Sequence, residues 1–427
     1  MGSADRRVAI TGLGFITSIG NDRAEVTDSL LRQRHGIARV DFAGPDRPIG
    51  VKVAGTVKGF KTDSPFWSKW SYPPRYRFLP NTLRSLAPHG LYATCAAEQA
   101  IADARLTPAD VSSESTALFS CSAGSPYLLR HYLNLMWDTP DMRGTPMGVV
   151  SSIPGTLNFN LGTYFKIRGG NCGFVSACAS SAHALGYAFD EIRLGRLERV
   201  IVVGAEDLNT ESVVPFMSMK ALSECDDPDL ASRPFDRKRD GFVSSGGAAV
   251  VIVESAEAAA ARNAAPYAEL LGWAQSSDGV NIAMPHPGGE GLARAMRGAL
   301  RTCGLAPADI GYVNAHATST PQGDHSEALA LHAVFTEAGA HPAVSSTKGL
   351  TGHPLSMAGA MEAAFCSLAI RDGFVPGNAH LEEPDEACAG LNLPRETRAA
   401  APGIVMSNSS GFGGSNVVLV LAPWKTA

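Results

Sequence analysis

The stretch Phe174-Val-Ser-Ala-Cys178-Ala-Ser-Ser-Ala-His183-Ala-Leu-Gly186 constrains the possible folds more than any other part of this chain. An apolar run closes on one cysteine and gives way at once to small residues at helical spacing. That order predicts a strand, a tight turn and a helix, with Cys178 at the turn. Side chains this small let a second backbone and a substrate come close. The same grammar returns later: Ala343-Val-Ser-Ser-Thr-Lys348-Gly-Leu-Thr-Gly-His353 reads as a strand and turn, and Ser356 to Ile370 as a helix of small residues. Two βαβ-rich halves, 1–255 and 256–427, each with a small-residue helix buried under sheets, predict an internal duplication and a layered α/β architecture.

At a helix N-terminus the partial positive charge lowers the pKa of a thiol and favours the attacking thiolate. A free cysteine also packs well as a small hydrophobe, so this stretch alone leaves both readings open for Cys178. The eight cysteines are scattered through 427 residues without C-x-x-C pairs, the pattern of reduced thiols in the cytoplasm. Net charge is −5, against bulk nucleic-acid binding. No apolar run reaches membrane-spanning length, and the N-terminal residues show no apolar signal region. Gly2 is a poor myristoylation site, because Arg6 stands where a hydroxyl residue is wanted.

In chain order, Arg7 to Ile10 reads as a buried strand and Thr11-Gly-Leu-Gly14 as the turn leaving it. The glycines do not complete a dinucleotide fingerprint, since Phe15, Ile16 and Thr17 follow. A helix is predicted over 21–35, capped by Asn21 or Asp22. Periodicity is lost from about 40 to 82. There Phe66-Trp67-Ser-Lys69-Trp70-Ser-Tyr72-Pro-Pro-Arg75-Tyr76-Arg77-Phe78 reads as a loop that packs on the body or docks a partner. A helix over 86–104 and a strand over 117–121 precede a second irregular stretch, 122–146, which holds Trp137. Further helices are predicted near 152–164 and 255–263, and strands at 200–203 and 246–254.

Two more turns carry chemistry. In Gly311-Tyr-Val-Asn-Ala-His316-Ala-Thr318-Ser-Thr320-Pro-Gln-Gly-Asp324 a histidine stands just past a strand, and His353 closes a turn five residues after Lys348. A single histidine at a strand end is usually structural; two such turns with a helix-capping cysteine point to a catalytic group. His325 and His332 are a loose pair on a helix and make no metal site.

These turns, with Asn408-Ser-Ser-Gly-Phe412-Gly-Gly-Ser-Asn416, resemble the motifs of the β-ketoacyl-[acyl carrier protein] synthases, in the family's order from Val8 to about Leu421. Ser244-Ser-Gly246-Gly247, without an acidic residue, and Ala389-Gly-Leu-Asn392 tilt the resemblance toward the type I branch of the bacterial elongating enzymes. It implies a thiolase fold with a duplicated αβαβα five-layer architecture, a homodimer and a Claisen condensation. Cys178 takes an acyl chain from the phosphopantetheine arm of an acyl carrier protein, with no permanently bound cofactor and no metal. His316 and His353 donate to the enolate formed as malonyl-carrier protein loses CO₂. Lys348 orders the electrostatics beside the histidines, with Glu362 as its buried counter-charge. The backbone N–H groups of Cys178 and Phe412 form the oxyanion hole. Phe412, between Gly411 and Gly413, gates the acyl channel. Thr318 and Thr320 hold the pantetheine arm, and Ala123, Gly124 and Ser410 line the acyl pocket.

The chain departs from the family's pattern at Ala317, usually glycine, at Ser410, where a phenylalanine is common, and at Ser120-Cys121-Ser122-Ala123-Gly124, where the family is richer in glycine. On the same resemblance Arg84 meets the acidic carrier protein, and Arg143 is the one cation evident over 143–150; Arg75, Arg77 and Lys69 of the aromatic segment substitute for the basic residues expected nearby. A coenzyme A thiolase uses a second cysteine in the late glycine loop, and 408–416 has none. A partner subunit that shapes a chain without condensing lacks the nucleophile. This chain keeps it and is compatible with the active member of a heterodimer serving a specialised acyl or polyene pathway.

Overall fold

The structure, a computed structural model, describes residues 6–42, 49–142 and 144–425; Gly2 and Arg143 lie outside them. The first half contributes β1 (Val8–Ile16), β2 (Ile37–Arg39), β3 (Val53–Gly55), β4 (Thr116–Cys121), β5 (Asn171–Gly173), β6 (Arg199–Glu206) and β7 (Gly247–Ser255). The second contributes β8 (Ala268–Ser277), β9 (Ile310–Asn314), β10 (Ala343–Ser345), β11 (Ile404–Gly411) and β12 (Ser415–Ala422). β2 and β3 form a hairpin of their own. The other strands run in the order β10-β9-β11-β12-β8-β1-β7-β6-β4-β5.

That order is one five-stranded pattern used twice. In each half two parallel pairings, β5 on β4 on β6 and β10 on β9 on β11, are followed by two antiparallel ones, β6 on β7 on β1 and β11 on β12 on β8. The halves meet where Val8, Ala9 and Ile10 pair with Leu270, Glu269 and Ala268.

Successive strand residues face opposite sides, and the strands here are apolar on both. Val200 and Val202 enter a central cluster with Val417, Leu419 and Leu421, whereas Ile201 and Val203 enter one outer cluster and Val418 and Val420 the other. Helices Ser180–Arg193 and Ala358–Asp372 fill the middle layer. Helix Pro88–Asp103 covers one outer face, and Glu290–Cys303 with Pro321–Val334 the other. The result is the αβαβα stack of a thiolase fold. The middle helices have small residues because they touch: a Cβ on Gly359 would lie 2.5 Å from Ala182 N, and one on Gly186 2.2 Å from the Trp273 ring.

Three local expectations change. Thr11 to Gly14 is not a turn; β1 runs through it with an irregularity between Ile10 and Gly12. Its glycines admit helix Pro88–Asp103, since a Cβ on Gly14 would lie 1.9 Å from Ala96 O. The stretch after Gly124 is not irregular, because Ser125 caps a helix, Pro126–Trp137, with proline at its first position. Only Leu128 of that helix is buried, and Trp137 is 72% exposed, so its apolar residues match no core of this chain. The aromatic segment packs on the body: Trp70 and Tyr76 are buried in the cluster beneath helix Pro88–Asp103.

Candidate active site

β5 ends at Gly173, and after six intervening residues helix Ser180–Arg193 begins. Between them Ala177 adopts φ +49°, a left-handed conformation costly for a residue with a side chain and a mark of nucleophile-bearing turns. The turn is pinned from within. Ser176 N–H donates to Ser180 Oγ at 2.8 Å, and the Ser180 hydroxyl donates to Ala177 O at 2.6 Å. Gly411 lies against it, so close that a Cβ there would be 2.8 Å from Ser176 O and 3.0 Å from Cys178 N. β11 thereby brings Phe412 to the Cys178 turn.

Cys178 Sγ lies 3.0 Å from His353 Nε2, and the His316 and His353 rings meet edge to face with centroids 5.3 Å apart. His353 is fixed through its backbone, whose N–H donates to Val243 O at 2.7 Å and whose carbonyl accepts from Ser245 N–H at 3.1 Å. Burial, then Lys348, holds both imidazoles well below the usual histidine range, with His353 adding to the effect on His316. They are neutral at physiological pH. Lys348 and Glu362, both fully buried, form an ion pair behind them. Burial pushes Glu362 up to about 7 against the pull of Lys348. Burial pushes the Cys178 thiol up to about 12 against the lowering by Lys348 and the backbone, so desolvation opposes the thiolate that a helix terminus favours. His353 is the imidazole within hydrogen-bond reach of the Cys178 sulfur.

Several residues at the site escaped the sequence reading. Glu327 accepts the backbone N–H groups of His316 at 3.0 Å and Ala317 at 2.7 Å, and the Asn408 side chain at 2.9 Å, fixing the first histidine turn. Asp324, one helical turn earlier, accepts from Phe235 N–H at 2.8 Å and Ser319 N–H at 3.1 Å. Two acids at this spacing just after the His316 turn were a visible signal. Phe242 meets His353 at 5.4 Å, and Phe216 bridges Phe242 and Phe412 at 5.4 and 6.0 Å; nothing in their local sequence marked them.

The site can be set beside known proteins. The Beta-ketoacyl synthase N-terminal domain matches residues 5–259, and the Beta-ketoacyl synthase C-terminal domain residues 267–382. The chain belongs to the β-ketoacyl synthase family. It is 38% identical to 3-oxoacyl-[acyl-carrier-protein] synthase 1 of Escherichia coli K12, across 98% of this chain and 100% of that protein. A β-ketoacyl synthase structure from Burkholderia phymatum superposes with a TM-score of 0.88 at 32% identity, covering 99% of this chain and 100% of that one. The ishigamide ketosynthase/chain length factor gives 0.85 at 30%, covering 98% and 100%.

Within this synthase framework the remaining expected residues fall in three places. The Thr318 and Thr320 hydroxyls face one another at 3.2 Å beside the His316 turn. Phe412 is 38% exposed, and its loop, with Gly413 at φ +81°, is held by Gly413 N–H donating to Ile282 O at 2.8 Å. A cavity of ≈ 330 Å³ beside the elbow is lined by Ser120, Ser122, Asn158, Phe159, Phe174 and Val175. Ala123, Gly124 and Ser410 do not line it. The Ala123 N–H turns to Glu206, Gly124 packs on Ser152 O, and the Ser410 hydroxyl donates to Asn416 Oδ1 at 2.7 Å. Ala317 needs no left-handed backbone, so its methyl is accommodated. Arg75, Arg77 and Arg84 are exposed on one segment; Arg75 is tied to Asn21 O and Asp22, and Arg84 lies over the Trp67 ring. His332 is engaged at both ring nitrogens, by Thr336 and Ala387 O.

Proposed function

We propose that this chain joins an acyl group held on Cys178 to a malonyl group on acyl carrier protein, releasing CO₂ and leaving a 3-oxoacyl chain two carbons longer. The observation that carries this is the Cys178 thiol 3.0 Å from one of two neutral, mutually contacting imidazoles. In the first half-reaction His353 takes the thiol proton, sulfur attacks the acyl thioester, and the pantetheine thiol leaves carrying a proton. The tetrahedral oxyanion faces the N–H groups of Cys178 and Phe412. In the second, the malonyl carboxylate leaves as CO₂ and its electron pair forms an enolate, to which neutral His316 and His353 donate. The enolate carbon then attacks the Cys178 thioester and expels the sulfur, which is reprotonated. Covalent catalysis divides one hard step into two. The pantetheine arm, with Thr318 and Thr320 beside it, carries substrate, and no step needs a bound cofactor or metal.

Supporting the carrier-protein reading, Arg75, Arg77 and Arg84 form an exposed basic edge suited to an acidic partner. Charge reversal of Arg77 and Arg84 is expected to raise KM for acyl-carrier protein about tenfold with kcat little changed; an unchanged KM removes the dock from this segment. Supporting a dimer, edge strand β5 is exposed and flanked by Phe159 (50% exposed) and Val175 (83% exposed). A second copy of this chain or a related subunit fits that face. No described helix is long and apolar enough to cross a membrane. The eight free cysteines support a reducing, cytoplasmic setting. The repeated strand order supports two duplicated halves, 1–255 and 256–427.

The test is to incubate the protein with acyl- and malonyl-carrier proteins and weigh the carrier-bound products. A 3-oxoacyl product that vanishes with Cys178→Ala is expected. Hydrolysis alone, or a product made equally by Cys178→Ala, overturns the reading.

A further inference from the structure

Glu206 takes no part in the chemistry above. It ends β6 and is 2% exposed. Its Oε1 accepts the Ser356 backbone N–H at 3.1 Å and the Ser356 hydroxyl, and its Oε2 accepts the Ala123 N–H at 3.3 Å. All three donors are uncharged. Asp207, its neighbour in the chain, is also buried, and the Lys348 cation is paired with Glu362. Burial pushes Glu206 up to about 7. A carboxylate buried without a cation is costly, and the fold places it between two loops of the site.

One loop follows the catalytic histidine. Ser356 lies three residues after His353, and Leu355 between them adopts φ +47°, a strained conformation that persists only when its surroundings enforce it. The loop rests directly on β6, since a Cβ on Gly204 would lie 2.7 Å from Met357 Cα. The other loop is the cavity wall. Ser122 lines the cavity beside the elbow, and Ala123 follows it, backed by Gly124 at φ +80° against Ser152 O. An acyl chain pressing on Ser122 would displace the adjoining Ala123 N–H, and the Glu206 carboxylate would pass that displacement to Ser356.

We propose that Glu206 is a positioning residue that ties Ala123, the residue behind the cavity-lining Ser122, to the His353 loop, so that condensation discriminates among acyl chains already bound to Cys178. The proposal rests on the condensation reading above. In Glu206→Gln one oxygen still accepts from Ser356, but an amide N–H₂ then faces the Ala123 N–H, and the tie to the wall is lost.

The experiment separates two steps across saturated chains of six to sixteen carbons. Loading of Cys178 from acyl-carrier protein is followed by intact mass, and discharge of the loaded enzyme by malonyl-carrier protein is followed in single turnover. Glu206→Gln is expected to load within about twofold of wild type, to slow condensation about tenfold for the chains wild type condenses best, and to leave the slowest chains nearly unchanged, flattening the profile. Ser356→Ala, which removes only the hydroxyl donor, is expected to shift the profile the same way by less, and carries the test if Glu206→Gln does not fold. Equal loss in both steps at every chain length, or no change, overturns the proposal. Wild type that loads but condenses no chain defeats the condensation reading instead.

Discussion

Replacing Gly411 with alanine adds one methyl group where β11 presses on the Cys178 turn. The new carbon would stand 2.8 Å from Ser176 O, 3.0 Å from Cys178 N and 3.2 Å from Ala179 N, all three backbone atoms of the nucleophile turn. Backbone strain is not a confounding effect, because Gly411 has φ −132° and ψ 162°, open to any residue. The clash is relieved only if β11 and the turn part by about 0.5 Å, a typical overpacking cost of about 1–3 kcal/mol. That movement separates the N–H of Cys178 from that of Phe412, the two donors expected to face the oxyanion. Loss of one well-aimed donor costs about 10²–10³-fold in kcat. We expect Gly411→Ala to lower kcat by about that factor with KM within about threefold of wild type, and to lower the melting temperature modestly. Gly403→Ala in the loop leading into β11 is the control: with φ +66° and nothing within 4 Å of the added carbon, it introduces strain without a clash. It should cost about 1–2 kcal/mol of stability and leave kcat intact. Full activity in Gly411→Ala, or equal kcat loss in both variants, refutes the assignment of the oxyanion hole.

Lys348→Ala strands the buried Glu362 carboxylate and is expected to cost about 3–5 kcal/mol; the double variant Lys348→Met, Glu362→Leu should recover most of that stability in a denaturant titration and remain unable to condense. His89 is fully buried with neither ring nitrogen bonded, and burial lowers its pKa to about 3. The unfolded chain therefore takes up a proton that the fold refuses, so this residue's contribution to stability is complete above the ordinary value of 6.5 and is lost as pH falls toward 3. His89→Leu should gain about 2 kcal/mol on wild type between pH 7 and pH 5; parallel stability curves contradict this.

The turns that carry Cys178, His316 and His353 were legible as turns from a cysteine before a helix of alanine and serine and from histidines just past strands; none singles out chemistry alone, and it is their combination that the structure brings within contact. The duplicated architecture was legible for a related reason, since a middle-layer helix must be small on more than one face, as Gly359 against Ala182 shows. Gly12 and Gly14 misled because glycine serves equally a turn and a strand pressed by a helix backbone, and sequence does not say which. Helix Pro126–Trp137 was missed because its apolar residues face outward rather than toward this chain's core. The thiol's protonation state depended on how far burial outweighs the helix terminus and Lys348, a balance set by packing from both halves. Phe242 reaches His353, and Phe216 reaches Phe242 and Phe412, only through tertiary contacts.

The most direct test of the account is the intact mass of the protein after exposure to acyl-carrier protein, and again after malonyl-carrier protein is added. One acyl adduct is expected, on a peptide containing Cys178 and absent from Cys178→Ala, that disappears as CO₂ and the longer 3-oxoacyl carrier form in equal amounts. An adduct on another residue, or one that malonyl-carrier protein leaves in place, would contradict it.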